Sequence, residues 1–253
     1  MYPYLHILPK PVSTYSVCML IGFYLVAILS IIRARKQNVR PEYIIVLAIF
    51  VFLGAIVGAA LLYIFVTYPI NEIIPRLLSG NLSVGLVFYG GLIGGIGAAF
   101  LGAKICRVKL SDYESSIVPF IPLGHGIGRI GCLMAGCCYG IEYSGFGAIY
   151  YNIPEYGLYP NVGYFPVQPM EAFMDICIMV YLLYASNKEL PKYDLLFRYL
   201  FLYAIMRFIT ELFRGDEIRG INILSTSQWI SVALVIIFVV RLIYKKRKEK
   251  KIS

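Results

Sequence analysis

The stretch EYIIVLAIFVFLGAIVGAALLYIFVTY, residues 42–68, decides the fold. After Glu42 it holds no charged residue. It is longer than the roughly 20 residues a helix needs to cross the hydrocarbon of a bilayer. Tyr68-Pro69 should end it near the surface, because the residue before a proline is pushed out of helical geometry. Working outward, six more apolar runs can be read, at about 14–32, 84–103, 114–136, 168–186, 196–213 and 228–244. The whole chain agrees. Of 253 residues, 59% are hydrophobic and 15% charged, with a mean hydropathy of +0.74. A soluble domain carries about 25% charged residues. The expectation is an all-α, polytopic membrane helix bundle of about seven transmembrane helices, forming a single integral membrane domain over residues 1–253.

Lysine and arginine set the orientation. Of 23, seventeen fall on one side, in the loops at 33–40, 104–109 and 188–198 and in the tail from Arg241. Four fall on the other side, and Arg129 and Arg207 lie within spans. This puts the amino terminus outside and the carboxyl terminus in the cytoplasm. The net charge of +9 then reads as a topology anchor at an anionic leaflet. Residues 245–253 form a basic cytoplasmic tail, and no nucleic-acid partner is expected. The amino terminus shows no cleavable signal pattern, so the first span is expected to be retained. Residues 139–166 carry no lysine or arginine but seven tyrosines, five glycines and three prolines. That composition suits a small extracytoplasmic cap at the membrane interface.

An arginine at the centre of a span costs about 2.5–3.5 kcal/mol on the insertion scale. It marks a cavity or a partner. Tyr203, Arg207 and Glu211 follow each other at helical spacing and share one face. The bland alternative is a buried ion pair that only fixes helix packing. Arg129 stands among Gly124, Gly126, Gly128 and Gly131. Together with Pro119 and Pro122 these predict a broken helix whose freed N–H groups, with the guanidinium, form an anion site. The abundant phosphate in this solvent is a phospholipid head group. The alternative is a glycine-packed helix crossing. A second glycine run, FYGGLIGGIG at 88–97, places Tyr89 just before Gly90 and Gly91. It either packs against the fourth span or admits a lipid chain or peptide.

Of six cysteines, Cys18, Cys106 and Cys177 are isolated and read as small hydrophobes. Cys132, Cys137 and Cys138 cluster. The C-x4-C-C pattern is not a standard zinc spacing, so no metal is expected. On an oxidising side these residues would make a redox pair. That keeps open a membrane thiol-redox protein. A transporter or receptor built on a broken helix is a third class.

Four motifs in order, FYGGLIGG, GHGIGRIGCLMAGCCYG, PVQPMEA and YLFLYAIMRFITELFRGD, resemble the prolipoprotein diacylglyceryl transferase family of bacterial membranes. The resemblance runs from Tyr15 to the last span. It implies a multi-pass enzyme of the bacterial cytoplasmic membrane, without a soluble cofactor. The family moves a diacylglyceryl group from phosphatidylglycerol to the lipobox cysteine thiol of a preprolipoprotein, and glycerol phosphate leaves. It implies Tyr15, Tyr203, Gln168 and Glu171 as pocket residues. Gly90, Gly91, Gly128, Gly131, Cys132 and Gly140 stand at motif positions. The chain departs from the better-known members at four places. Tyr89 stands for a histidine, Cys132 for an asparagine, Cys137 for a glutamate and Tyr139 for a tryptophan. It resembles a cysteine-rich branch, so a related lipid transferase with another acceptor stays open.

The chemistry these residues suit is attack by the acceptor thiolate. It strikes the glycerol carbon that bears the phosphate, and the carbon–oxygen bond breaks. Arg129 is assigned to the head-group phosphate and Arg207 to the leaving phosphate, oriented by Glu211. Tyrosine, ionising near pH ~10, is a poor base. His125 lies one turn before Arg129 on a regular helix and takes the base role. The neighbouring guanidinium favours the neutral ring. Tyr89 then orients the thiol or the lipid. The alternative is that His125 only bonds a freed carbonyl. The acceptor brings its own thiol, so Cys132, Cys137 and Cys138 are expected to be dispensable.

Overall fold

Pro69 ends the long apolar helix where the sequence places its end. Tyr68 is extended (φ −116°, ψ 139°), and its N–H still donates to Ile64 O at 3.0 Å. In this computed structural model the described residues are 3–5, 11–80, 85, 87–154, 157–215, 220–221 and 223–252. Among them the helices are α1 (Thr14–Lys36), α2 (Glu42–Thr67), α3 (Ile70–Leu78), α4 (Phe88–Ile105), α5 (Glu114–Ile117), α6 (Ile121–Ala135), α7 (Val167–Ala185), α8 (Asp194–Glu211) and α9 (Thr226–Ile252). Every apolar run read from the sequence has a helix in its place.

Five helical segments are long and apolar enough to cross a membrane: Thr14–Lys36, Glu42–Thr67, Glu114–Ala135, Val167–Ala185 and Thr226–Tyr244. Gly90–Ile105 in α4 is apolar but shorter. The α8 helix carries Asp194, Arg198, Arg207 and Glu211 along its 18 residues. A polytopic helical membrane bundle is thus the architecture. The short helix α3 was not read from the sequence, because its apolar face is broken by Asn71, Glu72 and Arg76.

The chain forms two compact units, Leu29–Ser116 and Met1–Ile28 with Ile117–Ser253. In the first, α2 and α4 cross at glycines. A Cβ on Gly58 would overlap Gly90 O, and one on Gly94 would overlap Gly54 O. Small residues four apart on both helices let the backbones meet. The glycine run at 88–97 therefore packs against α2. Gly91 lies on the same crossing, with Ala55 O at 3.3 Å from where its Cβ would stand.

In the second unit, α6, α7 and α8 pack around Val118, Ile178, Leu182, Ala185, Leu195, Tyr199 and Met206, and α9 lies against α8. The fourth span does break, but at its prolines. A 3-10 turn at Val118–Phe120 holds Pro119, and Pro122 sits in the first turn of α6. Proline lacks the N–H that an uninterrupted helix would use there. The glycine stretch beyond is continuous helix through Ala135. Its N–H groups are spent on the helix, so the expected glycine break with freed donors is absent from 121–135.

Residues 139–166 fold on a core of their own. Ile149–Tyr150 pairs antiparallel with Gly163–Tyr164. Tyr151, Ile153, Leu158 and Tyr164 are buried, with Leu133, Tyr139, Ile149 and Val162 packed against them. Tyr139 and Tyr151 meet the Tyr164 ring edge-on at 5.3 and 5.5 Å. The start of the segment is pinned to the chain just beyond α8. Ile141 N–H donates to Phe213 O, and Gly215 N–H donates to Tyr139 O.

Candidate active site

Helix α7 carries Gln168, Glu171 and Asp175 on one face, and all three are fully buried. A buried carboxylate must find positive or donor partners or it destabilises the fold. Glu171 finds three. Its Oε2 pairs with Arg129 Nε at 2.9 Å, and its Oε1 pairs with Arg207 Nη1 at 3.0 Å. Thr210 Oγ1 donates to Oε1 at 2.8 Å. Arg207 Nη2 reaches Glu211 Oε2 at 2.5 Å and donates to Ser227 Oγ at 3.2 Å. Arg214 Nη1 lies 3.7 Å from Glu211 Oε2. The charges thus alternate, Arg129, Glu171, Arg207, Glu211, Arg214.

Asp175 Oδ2 accepts from His125 Nδ1 at 2.7 Å. An ionised carboxylate only accepts, so Nδ1 donates in this bond, and in the neutral tautomer that it selects Nε2 keeps the lone pair. Tyr203 lies edge-on to the His125 ring at 5.0 Å. The expected neighbour of His125 was the Arg129 guanidinium; the group that meets it is a carboxylate from α7. Gly126 permits this, since Ala172 O and Asp175 Cβ stand 3.3 Å from where its Cβ would be.

The remaining glycines of α6 serve close approach to α1. A Cβ on Gly131 would meet Cys18 at 2.8 Å and the Tyr15 backbone at 3.4 Å, and one on Gly128 would meet Met19 Sδ at 3.1 Å. Tyr15 is thereby held beside Gly131. Gln168 uses both amide hydrogens, donating to Cys137 O and to Tyr151 OH at 2.9 Å each. It seals the end of α6 to the 139–166 segment. Burial, opposed by that bond, pushes the Tyr151 hydroxyl up to about 12. Gly140 is packed against Phe165 O and is bridged to Arg214. Among the described residues, Gln168 Oε1 and Asp175 Oδ1 are buried without a hydrogen-bond partner.

Cys132, Cys137 and Cys138 converge, with all three Sγ atoms within 4.8 Å of one another. Hydrogen bonds from the other two thiols, with Arg214 and Arg129 adding to them against the pull of burial, hold Cys138 well below the ordinary thiol value. Gly90 and Gly91 belong to the α2–α4 crossing. Tyr89 begins α4, and its side chain lies outside the described residues.

A family model described as prolipoprotein diacylglyceryl transferase matches residues 3–244. The chain belongs to the prolipoprotein diacylglyceryl transferase family. Among its curated relatives is the phosphatidylglycerol–prolipoprotein diacylglyceryl transferase of Clostridium tetani, 34% identical, with 88% of this chain and 89% of that protein covered. The enzyme named phosphatidylglycerol–prolipoprotein diacylglyceryl transferase 2 of Clostridium perfringens is 31% identical over 89% of this chain and 88% of its own length. The transferase of Dehalococcoides mccartyi is 29% identical over 94% and 91%. As a transferase-family chain, this one shows what sequence reading passed over. Asp175, Thr210 and Ser227 join the charged network and were not singled out. Asp175 had a usable signal: it is an ionisable residue inside an apolar helix, one turn from Glu171. Thr210 and Ser227 had none, since hydroxyls are common in such helices.

Proposed function

We propose that the chain transfers the diacylglyceryl group of phosphatidylglycerol to the lipobox cysteine thiol of a preprolipoprotein, with release of glycerol phosphate. The observation that carries this is Glu171, one buried carboxylate that fixes two arginines from different helices, Arg129 and Arg207. Glu171 engages Arg129 through Nε, and among the described residues no ion pair takes its terminal nitrogens. That fork suits the head-group phosphate. Arg207, held by Glu171, Glu211 and Ser227, is set to stabilise the charge that develops on the leaving phosphate. Both carboxylates keep the guanidiniums in place before the reaction, so little reorganisation is needed when the charge appears.

His125 accepts the thiol proton at Nε2, with Asp175 fixing the tautomer at Nδ1. Tyr203 packs on the ring, and Tyr15, Gln168, Gly128, Gly131, Cys132 and Gly140 complete the walls. Tyr89, with Gly90 and Gly91, orients the lipid or the peptide. The topology that fits is seven crossings of the bacterial cytoplasmic membrane within one integral domain. The amino terminus and the 139–166 cap lie outside, and the 245–253 tail lies in the cytoplasm. The purified chain with phosphatidylglycerol and a lipobox peptide should yield a thioether-linked diacylglyceryl peptide and glycerol phosphate. Absence of product with every anionic phospholipid tried would sink the proposal.

A further inference from the structure

The cysteine turn after α6 takes no part in the chemistry above, yet the fold spends conformation on it. Gly136 closes α6 at φ +74°, and Cys138 returns to the left-handed region at φ +58°. A non-glycine residue enters that region rarely. Cys137 N–H donates to Cys132 O at 3.1 Å, and Gln168 holds Cys137 O from α7. The turn folds back, and three free thiols from positions 132, 137 and 138 converge within 4.8 Å. With zinc–sulfur bonds of about 2.3 Å, sulfurs on one tetrahedral ion stand roughly 3.8 Å apart. The cluster is therefore within about an ångström of a ligand set.

We propose that Cys132, Cys137 and Cys138 bind one thiophilic divalent ion, zinc in the first place, whose fourth position receives the acceptor's thiol. This rests on the transfer reaction proposed above. Three protein ligands and one open position are the arrangement of catalytic rather than structural zinc. The open position is near the right place, because Arg129 and Cys132 are three residues apart on α6 and share a face about 4.5 Å along its axis. Three thiolates on a divalent ion leave one negative charge, and the Arg129 and Arg214 guanidiniums act on Cys138. Zinc is borderline-soft and has no redox chemistry, so neither oxidant nor reductant enters.

The step balances. With the ion bound, the acceptor S–H would displace water from it, and its proton would pass through water to His125 Nε2, which lies about 10.5 Å back along α6 from Cys132. A thiol on zinc is held as thiolate. Its sulfur then bonds the glycerol carbon as the carbon–oxygen bond to phosphate breaks. The electron pair leaves with glycerol phosphate, and the ion stays divalent. The cluster is then needed as a ligand set, although the acceptor's own thiol made it look dispensable as a nucleophile.

The test uses the full chain in detergent with its thiols reduced. About one zinc per chain is expected by elemental analysis. Cobalt(II) in its place should give thiolate charge-transfer and tetrahedral d–d bands. A lipobox peptide should shift these bands, and the same peptide with serine for cysteine should not. Cys138→Ser should lose the bands, but the wild-type spectra decide even if that variant does not fold. No thiolate band with cobalt, or bands blind to the peptide thiol, would overturn the inference. So would full-rate transfer by protein shown to be metal-free, and that result leaves the proposed reaction standing. Peptide-sensitive bands in a chain that transfers nothing would uphold the ion and sink the reaction.

Discussion

The pairing of α2 with α4 and the pairing of α6 with α7 are built on the same residue type and end in different chemistry. In both, glycines face the partner helix: a Cβ on Gly58 or Gly94 would overlap it, and one on Gly126 would press on Ala172 O and Asp175 Cβ at 3.3 Å. Between α2 and α4 the meeting surface is Gly54, Gly58, Gly90 and Gly94 with small apolar neighbours, and no charged side chain stands among them. Between α6 and α7 the residues beside the glycines are His125 and Arg129, and the facing helix brings Asp175 and Glu171. Close approach there sets ion-pair distances. A glycine run in a membrane helix therefore says that something comes close; only the residues next to it say whether that matters for chemistry.

The comparison breaks most sharply at the arginines. Arg207→Ala and Arg129→Ala should each lower transfer on the order of a hundredfold or more, the loss seen when one donor to a developing charge is removed. Neither should prevent insertion, because Glu171 keeps the other arginine as partner. Arg207→Lys should fail too, since one ammonium cannot meet Glu171, Glu211 and Ser227 in the fork's geometry. Initial rates beside yield and melting temperature check this. Full activity in an alanine variant would reduce the α6–α7–α8 network to packing, like α2–α4. Glu171→Gln is the converse case. It leaves two buried guanidiniums without their shared anion, and uncompensated buried charge costs about 3–5 kcal/mol. Here melting temperature and activity should fall together.

The base sharpens the comparison at a smaller scale. His125→Gln should lose most activity near neutral pH and recover part of it in alkaline buffer, where the acceptor thiol ionises unaided. Asp175→Asn should shift the profile the same way with a smaller loss, since it disturbs the tautomer and not the ring. The profile of transfer rate against pH is the measurement. An unchanged profile in His125→Gln, with Tyr89→Phe inactive instead, would move the base role to α4.

How much of this was legible follows the range of each signal. The helices could be read because apolar length is local: Tyr68-Pro69 and the run before it suffice for α2. The Tyr203, Arg207, Glu211 face could be read because it lies on one helix. The break at 118–120 could be read from Pro119 and Pro122, which remove backbone donors; the glycines counted with them leave 121–135 helical, since glycine in a packed membrane helix need not break it. The partners Glu171–Arg129, Asp175–His125 and Ser227–Arg207 join different helices, and no spacing rule reports them. The thiols at 132, 137 and 138 converge only because two residues of the turn adopt positive φ, which a ligand-spacing pattern does not encode.

The smallest effects test the packing half of the comparison. Gly58→Ala places a methyl group on the Gly90 backbone, which cannot move aside without opening the α2–α4 crossing. Overpacking of this kind costs about 1–3 kcal/mol. The melting temperature in detergent should fall, while transfer per folded molecule stays near the wild-type rate. Gly97→Ala, on the same helix as Gly90, is the paired control. Nothing lies within 4 Å of where its Cβ would stand. In water a mid-helix glycine is worse than alanine by about 1 kcal/mol. In lipid the helix is already enforced by the lack of other hydrogen-bond partners. The gain should therefore be under about 1 kcal/mol, near the limit of a melting experiment. Equal losses in Gly58→Ala and Gly97→Ala would mean that α4 tolerates no added volume on either face, and the close approach at Gly58 would lose its special standing. A Gly58→Ala chain that melts normally but transfers slowly would be more telling still, because it would tie the α2–α4 pairing to catalysis.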